Sequence, residues 1–217
     1  MNDDPYVYPG TNVLRNKLGL RDADALDRAE RGLVRLRIQE GAPTGQFDLA
    51  HLRTIHRQLF QDVYGWAGEL RALEISKGGN QFQFRHYIET GMADVHRRLG
   101  ASGFLRGLAR GDFAREAGRI IGDVNYVHPF RDGNGRTQAL YLQQLSGQAG
   151  HRLDLTRINP QGWIEGSVAA HRGDYARLAR VIAQALEKTH ALESDTRAHD
   201  LPRTTKGQSR KDRERNR

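Results

Sequence analysis

Apolar residues recur at spacings of three and four along nearly the whole chain, and that period points to helices. Leu26, Ala29, Leu33 and Leu36 share one face of a segment that Asp22 starts and Gly41-Ala42-Pro43 ends, which predicts a helix from Asp22 to about Gln39. Asp48 caps a second, through Leu59, and Tyr64, Trp66 and Leu70 then supply bulk for the edge of a core. A short helix with Thr11 as N-cap is expected near the start. Further helices are expected over 85–99, over 112–125 with Asp112 as N-cap, and from Arg136 to about Gly147. Two more run from Ile158-Asn159-Pro160 to about His171, and from Gly173-Asp174 to about Leu192. The segment after Arg136 is apolar on two faces, so it belongs at the centre. The expected class is all-α.

One stretch breaks this period. In RALEISKGGNQFQF, residues 71–84, Leu73 and Ile75 alternate with their neighbours, Gly78-Gly79-Asn80 turns the chain, and Phe82 and Phe84 alternate again. That is the pattern of a short β-hairpin, with a plain connecting loop as the alternative.

Length and composition limit what the helices can build. The 217 residues suit one domain with extra chain at its ends. No run approaches the ~18 apolar residues of a membrane helix, and MNDDPYVYPG is acidic without an apolar stretch, unlike a secretory leader. There is no cysteine, so disulfides and thiolate metal sites are excluded, which fits a reducing cytoplasm. Net charge is +8, but the last fifteen residues hold seven basic and two acidic side chains, leaving +3 for the rest. The basic balance therefore belongs to a tail. From Glu193 onward the chain is polar and poor in apolar residues, so it is expected to be disordered, with weak non-specific contact to nucleic-acid phosphates as its one binding use. No aromatic residues interleave there to stack on bases. His51 and His56 are five residues apart and lack an acid to complete a zinc set, so they are read as structural or solvent-exposed.

The chemistry is concentrated in HPFRDGNGR, residues 128–136. Gly133 and Gly135 flank Asn134 before a helix, where successive backbone N–H groups can turn inward to hold an anion. The helix start adds its positive end, and Arg136 adds a planar cation suited to phosphate oxygens. Asp132 makes sense beside phosphates if it holds a divalent ion, since Mg²⁺ takes only one or two protein carboxylates. His128 can accept a proton from a hydroxyl near neutral pH. The spacing is not that of a Walker A loop, and no strand precedes it as in a dinucleotide fingerprint.

This string resembles the signature of the Fic domain family, H-x-F-x-[D/E]-G-N-G-R-x-x-R, at nine consecutive positions from His128 to Arg136. DPYVYPGTNVLRNKLG, HLRTIHRQLFQDVYGWAGELR and HRGDYARL also look like stand-alone bacterial Fic toxins, so the resemblance covers about residues 5–190. It implies a Fic fold, a helical bundle with a short β-hairpin flap. It implies transfer of AMP from ATP to a tyrosine, serine or threonine hydroxyl of a target protein. His128 would be the base, Asp132 would position Mg²⁺, and Gly133, Asn134 and Gly135 would hold phosphates with Arg131 and Arg136 beside them. Ile75, Ser76, Phe82 and Phe84 would form the flap that docks the target, with Lys77 and Gly78 near the nucleotide. Trp163 to His171 would lie near adenine. The resemblance extends to toxins that modify DNA gyrase and topoisomerase IV, so these subunits are the expected targets. The expected location is the cytoplasm; an Arg-rich C-terminus also resembles some type IV secretion signals, which gives export as an effector as the alternative.

One position departs from the pattern. Its second arginine falls at Ala139. In the family that arginine contacts the γ-phosphate and pairs with the glutamate of an inhibitory helix, [ST]-x-x-x-E-[GN]. Its loss implies, as the alternative function, a weakened or altered-donor Fic protein, either a phosphotransferase or a nucleotide-binding module. Within the chain only Thr189 to Ser194, THALES, approaches the inhibitory motif. Inhibition is therefore expected from a separate small antitoxin chain. The expected organisation is N-terminal helices over 1–45, a catalytic core over 46–193 and a basic tail over 194–217.

Overall fold

Seven α-helices and one small hairpin make up the computed structural model, which describes residues 4–187. Helix α1 (Ala23–Gln39) starts at Asp22, whose carboxylate accepts the N–H of Ala25, and α2 (Leu49–Phe60) starts at Asp48 in the same way. The two strands of the hairpin, β1 (Ser76–Lys77) and β2 (Asn80–Gln81), pair antiparallel with Lys77 opposite Asn80. Gly78 and Gly79 both take positive φ, as a tight two-residue hairpin turn requires. A single 3₁₀ turn leads into α3 (Ile88–Ala101). Then follow α4 (Arg110–Val127), α5 (Asn134–Gln148), α6 (Pro160–Ala170) and α7 (Ala176–Ala185).

Several expectations need correction. Thr11 caps no helix. Its hydroxyl accepts from the N–H of Val13 and donates to the carbonyl of Tyr8, closing a turn inside a bridge between Val7 and Leu14. In α1 the buried face is Leu26, Glu30 and Val34, while Leu36 is exposed. Glu30 was hidden from an apolar count because its carboxylate is satisfied inside the protein. Asp112 lies within the first turn of α4 and pairs with Arg115, the N-cap being Ala109. Helix α5 begins two residues before Arg136. The last helix stops at Ala185, because Leu186 turns extended and bridges Leu153. The THALES segment, the remainder of the expected last helix and the basic tail lie outside the described residues.

The core is organised around α4, which touches α3, α5, α6 and α7. Its Ile121 and Val124 are fully buried, as are Tyr141, Leu142 and Leu145 of α5. Both helices are therefore interior, and the short link between them is held from both ends. Closest approach is to α7, where a Cβ on Gly118 would lie 2.9 Å from the backbone nitrogen of Ala179. Nothing larger than glycine fits without separating the helices. Gly118→Val is expected to cost about 1–3 kcal/mol by overpacking, read as a lower urea midpoint with an unchanged slope.

Candidate active site

The link between α4 and α5 reverses the chain with two residues in left-handed conformation. His128 ends α4 at φ 47° and ψ 62°, and Gly133 starts α5 at φ 80° and ψ 0°. A histidine in that region is strained by roughly 1–3 kcal/mol, so surrounding contacts must hold it there. Asn134 closes the loop on itself. Its amide accepts from the N–H of Phe130 and donates to the carbonyl of Phe130, at 3.1 and 2.8 Å.

His128 carries a fixed tautomer. Its Nδ1 lies 3.0 Å from the carbonyl oxygen of Asn125, which can only accept, so Nδ1 carries the proton. Nε2 is then left with its lone pair, on a ring that lines the main cavity. The Phe82 ring stacks on the imidazole at 3.7 Å between centroids, inclined by 20°. Burial pushes the imidazole pKa from 6.5 down to about 4, so the ring is neutral across the physiological range.

Asp132 is exposed. One carboxylate oxygen accepts from the N–H of Gly133 and lies 3.5 Å from Arg136, and the other makes no hydrogen bond among the described residues. The first N–H groups of α5 meet no side-chain cap, because the N-cap is glycine. A Cβ on Gly133 would lie 2.4 Å from the Phe60 ring, so glycine is required by space as well as by φ. Gly135 sits inside the first turn of α5 with open space where a side chain would project, so the tight reversal itself requires glycine only at Gly133. The Asn134 side chain is spent on the loop.

Both motif arginines already have partners. Arg131 donates from Nε and Nη2 to Asp4, at 3.0 and 2.7 Å. Arg136 donates to Glu30 of α1, which also accepts the Tyr64 hydroxyl, and its guanidinium lies 4.6 Å from the Phe60 ring centroid. Burial and the bond to Glu30 raise the Tyr64 pKa, so its hydroxyl stays protonated and keeps donating. His56 supports the same loop. It accepts the Gly68 N–H at Nδ1, so Nε2 donates to the Asp132 carbonyl at 3.0 Å, and it stacks on Phe130. Burial holds it neutral, with a pKa near 4. Among the described residues no three His, Cys, Asp or Glu side chains converge on a metal position, and His51 is likewise bonded within the core.

One cavity of about 1330 Å³ gathers these groups. His128, Arg131, Asp132 and Gly133 to Arg136 form its floor. Ile75, Ser76, Lys77, Gly78 and Phe82 of the hairpin form one wall, and His171 at the end of α6 meets Phe82 edge-on. Phe84 is the exception. It is exposed, lies outside the cavity and faces His86. Ser167 lines the cavity within the Trp163–His171 stretch. Sequence reasoning missed Asp4, which comes from the far end of the chain and carries no local signal, and Asn125, which lies one helical turn before His128. Ala139 does line the cavity, so the departure falls at the site itself.

Comparison with known proteins agrees with this geometry. Residues 46–146 match the Fic/DOC family model. The chain is 39% identical to a Sinorhizobium fredii protein named "Probable protein adenylyltransferase y4lH" over 181 residues, 83% of this chain and 94% of that one. It is 34% identical to "Probable protein adenylyltransferase Fic" of Escherichia coli over 192 residues, 88% of this chain and 96% of that one. Among solved structures it is similar to the BepC effector of Bartonella tribocorum with bound AMPPNP, at TM-score 0.77 and 25% identity, covering 84% of this chain and 96% of that one. A helical bundle with a hairpin over the motif, matched in sequence along most of its length, places the chain in the Fic/DOC family.

Proposed function

We propose that this protein transfers AMP from ATP to a hydroxyl of a target protein. The observation that carries the reading is the unprotonated Nε2 of His128, on the same cavity as the uncapped start of α5 and the free oxygen of Asp132. The hydroxyl gives its proton to Nε2, its oxygen forms a bond to the α-phosphorus, and the bond to the β-phosphate oxygen breaks to release pyrophosphate. The α5 N–H groups and Arg136 stabilise charge on the phosphates, aimed in advance by Glu30 and the His56-supported loop. Gly133, Asn134 and Gly135 contribute through their backbone, Arg131 sits at the phosphate end, and Lys77 and Gly78 approach from the hairpin. The residues fit a divalent ion, since Mg²⁺ is usually held by one or two carboxylates together with substrate phosphates and Asp132 offers one exposed carboxylate. Asp132 would hold such an ion, which would supply positive charge to the phosphates. His171 and the α6 wall would face adenine, and Ile75, Ser76 and Phe82 would seat the target. We assign catalysis to residues 46–193, with 1–45 packed on them and 194–217 as a tail.

As the finer reading, the target is a gyrase or topoisomerase IV subunit and the protein is a toxin held in check by a small chain carrying the [ST]-x-x-x-E-[GN] helix. The relatives' names support protein adenylylation. No helix among the described residues is long and apolar enough to cross a membrane.

Incubation with ATP and Mg²⁺ should add AMP to a gyrase subunit, seen by intact mass, and His128→Ala should abolish it. Label arriving from γ-labelled rather than α-labelled ATP would instead indicate a phosphotransferase. Because protonation of His128 is needed to remove the base and burial sets its pKa to about 4, the neutral ring should persist as pH falls. An NMR titration of the His128 ring should therefore show no protonation between about pH 8 and about pH 5.

Ala139 on the cavity wall favours one second reading, a protein weakened toward ATP or suited to another donor. Ala139→Arg should tighten ATP binding by roughly 10- to 150-fold, matching about 1.5–3 kcal/mol for a charged hydrogen bond, and leave ADP binding unchanged. Calorimetry would measure both. Equal ATP binding by the natural protein and the variant would remove this second reading.

A further inference from the structure

We propose that Arg71 is a positioning residue that ties the hairpin to His128, so that flap and base hold their geometry as one unit. The proposal rests on the reading of His128 as base and of the hairpin as target-docking flap.

Arg71 sits between α2 and the hairpin, outside the signature, and its side chain is 0% exposed. Its bonds run in two directions. Toward the motif, its backbone N–H donates to the carbonyl of Pro129 at 2.9 Å and Nε donates to the carbonyl of His128 at 2.8 Å. Nη2 adds a longer contact to the carbonyl of Val127 at 3.4 Å. These are three consecutive carbonyls at and just past the end of α4, and those of Val127 and His128 are ones a helix terminus leaves without partners of its own. Toward the hairpin, Nη1 donates to the carbonyl of Leu73 at 2.8 Å and to the Glu74 carboxylate at 3.2 Å, and Nη2 donates to the carbonyl of Gln83. Leu73 and Gln83 are the two stems of the hairpin. Glu74 in turn accepts the N–H of Arg85, just past the second stem.

One guanidinium thus reads both stems and the carbonyl of the strained histidine. Only a fork of five N–H donors in a fixed plane can serve so many carbonyls at once. The second link closes through the rings. Phe82, at the end of the hairpin, stacks on the His128 imidazole, so a shift of the stems moves the surface that orients the base. A simple packing role would not need a desolvated charge. An apolar side chain of similar length would fill the space more cheaply, but it would leave these carbonyls buried and unpaired.

The test is amide hydrogen exchange on the full chain, read by mass spectrometry, for the natural protein, Arg71→Met and Arg71→Lys. In Arg71→Met, exchange should rise about tenfold or more in peptides covering 73–84 and 127–130 together, with α3 and α7 unchanged. Arg71→Lys, which keeps the charge but loses the fork, should show the same paired rise at smaller size. In an AMP-transfer assay both variants should lose kcat about tenfold or more, while KM for ATP moves less than about twofold. A rise in only one of the two segments, a rise throughout the helices, or full kcat in a variant with both segments loosened would each overturn the proposal. If the natural protein transfers no AMP, the reading of His128 as base fails; the exchange result still decides whether Arg71 couples the two segments.

Discussion

Everything at the site depends on holding a strained reversal between two buried helices. His128 and Gly133 both sit in left-handed conformation within six residues, and neither helix can shift to relieve them. Helix α4 is packed on four neighbours, and α5 carries Tyr141 and Leu145 into the interior. The loop keeps its shape because partners from inside and outside it hold several of its backbone groups. Asn134 binds Phe130, His56 takes the Asp132 carbonyl, and Arg71 takes the carbonyls of His128 and Pro129. Together they offset the cost of the left-handed histidine and leave one ring nitrogen free.

That accounting assigns roles to residues outside the signature. Helix α2 supplies His56 and Phe60, which define the space that only glycine can occupy at 133. Helix α1 supplies Glu30, and the N-terminal segment supplies Asp4, and both lie outside the matched family model. Each carboxylate answers one motif arginine. Both arginines on the cavity floor are therefore held in place and partly neutralised. This also sharpens the meaning of Ala139: with Arg131 and Arg136 both engaged, the wall at 139 adds no further charge.

Much of the fold could be read from residue order. The helix starts at Asp22, Asp48 and Asn159 follow from side chains that cap N–H groups a few residues on, and the structure shows each of those bonds. Local chemistry also located the hairpin, since Gly78-Gly79 can turn the chain where other residues cannot. Boundaries failed where tertiary contacts decided them. Leu186 leaves the last helix to pair with Leu153, and Thr11 closes a turn because Val7 and Leu14 bridge across it. Phe82 and Phe84 looked equivalent by alternation, yet one is buried on His128 and the other faces outward.

The sequence by itself determined the class of fold, the position of the signature loop and the residue types within it. Helical periodicity and a nine-residue string are local properties, so they survive without a third dimension. Only the tertiary structure decided how those residues are set to work. The free nitrogen of His128 depends on a carbonyl three residues back whose direction is fixed by the end of α4. The orientation of Arg136 depends on Glu30, more than a hundred residues earlier. The loop and the hairpin meet through Arg71, whose partners the sequence did not show. Charges and hydrogen bonds act over a few ångströms whatever the separation along the chain, so their partners become visible only once the helices have packed.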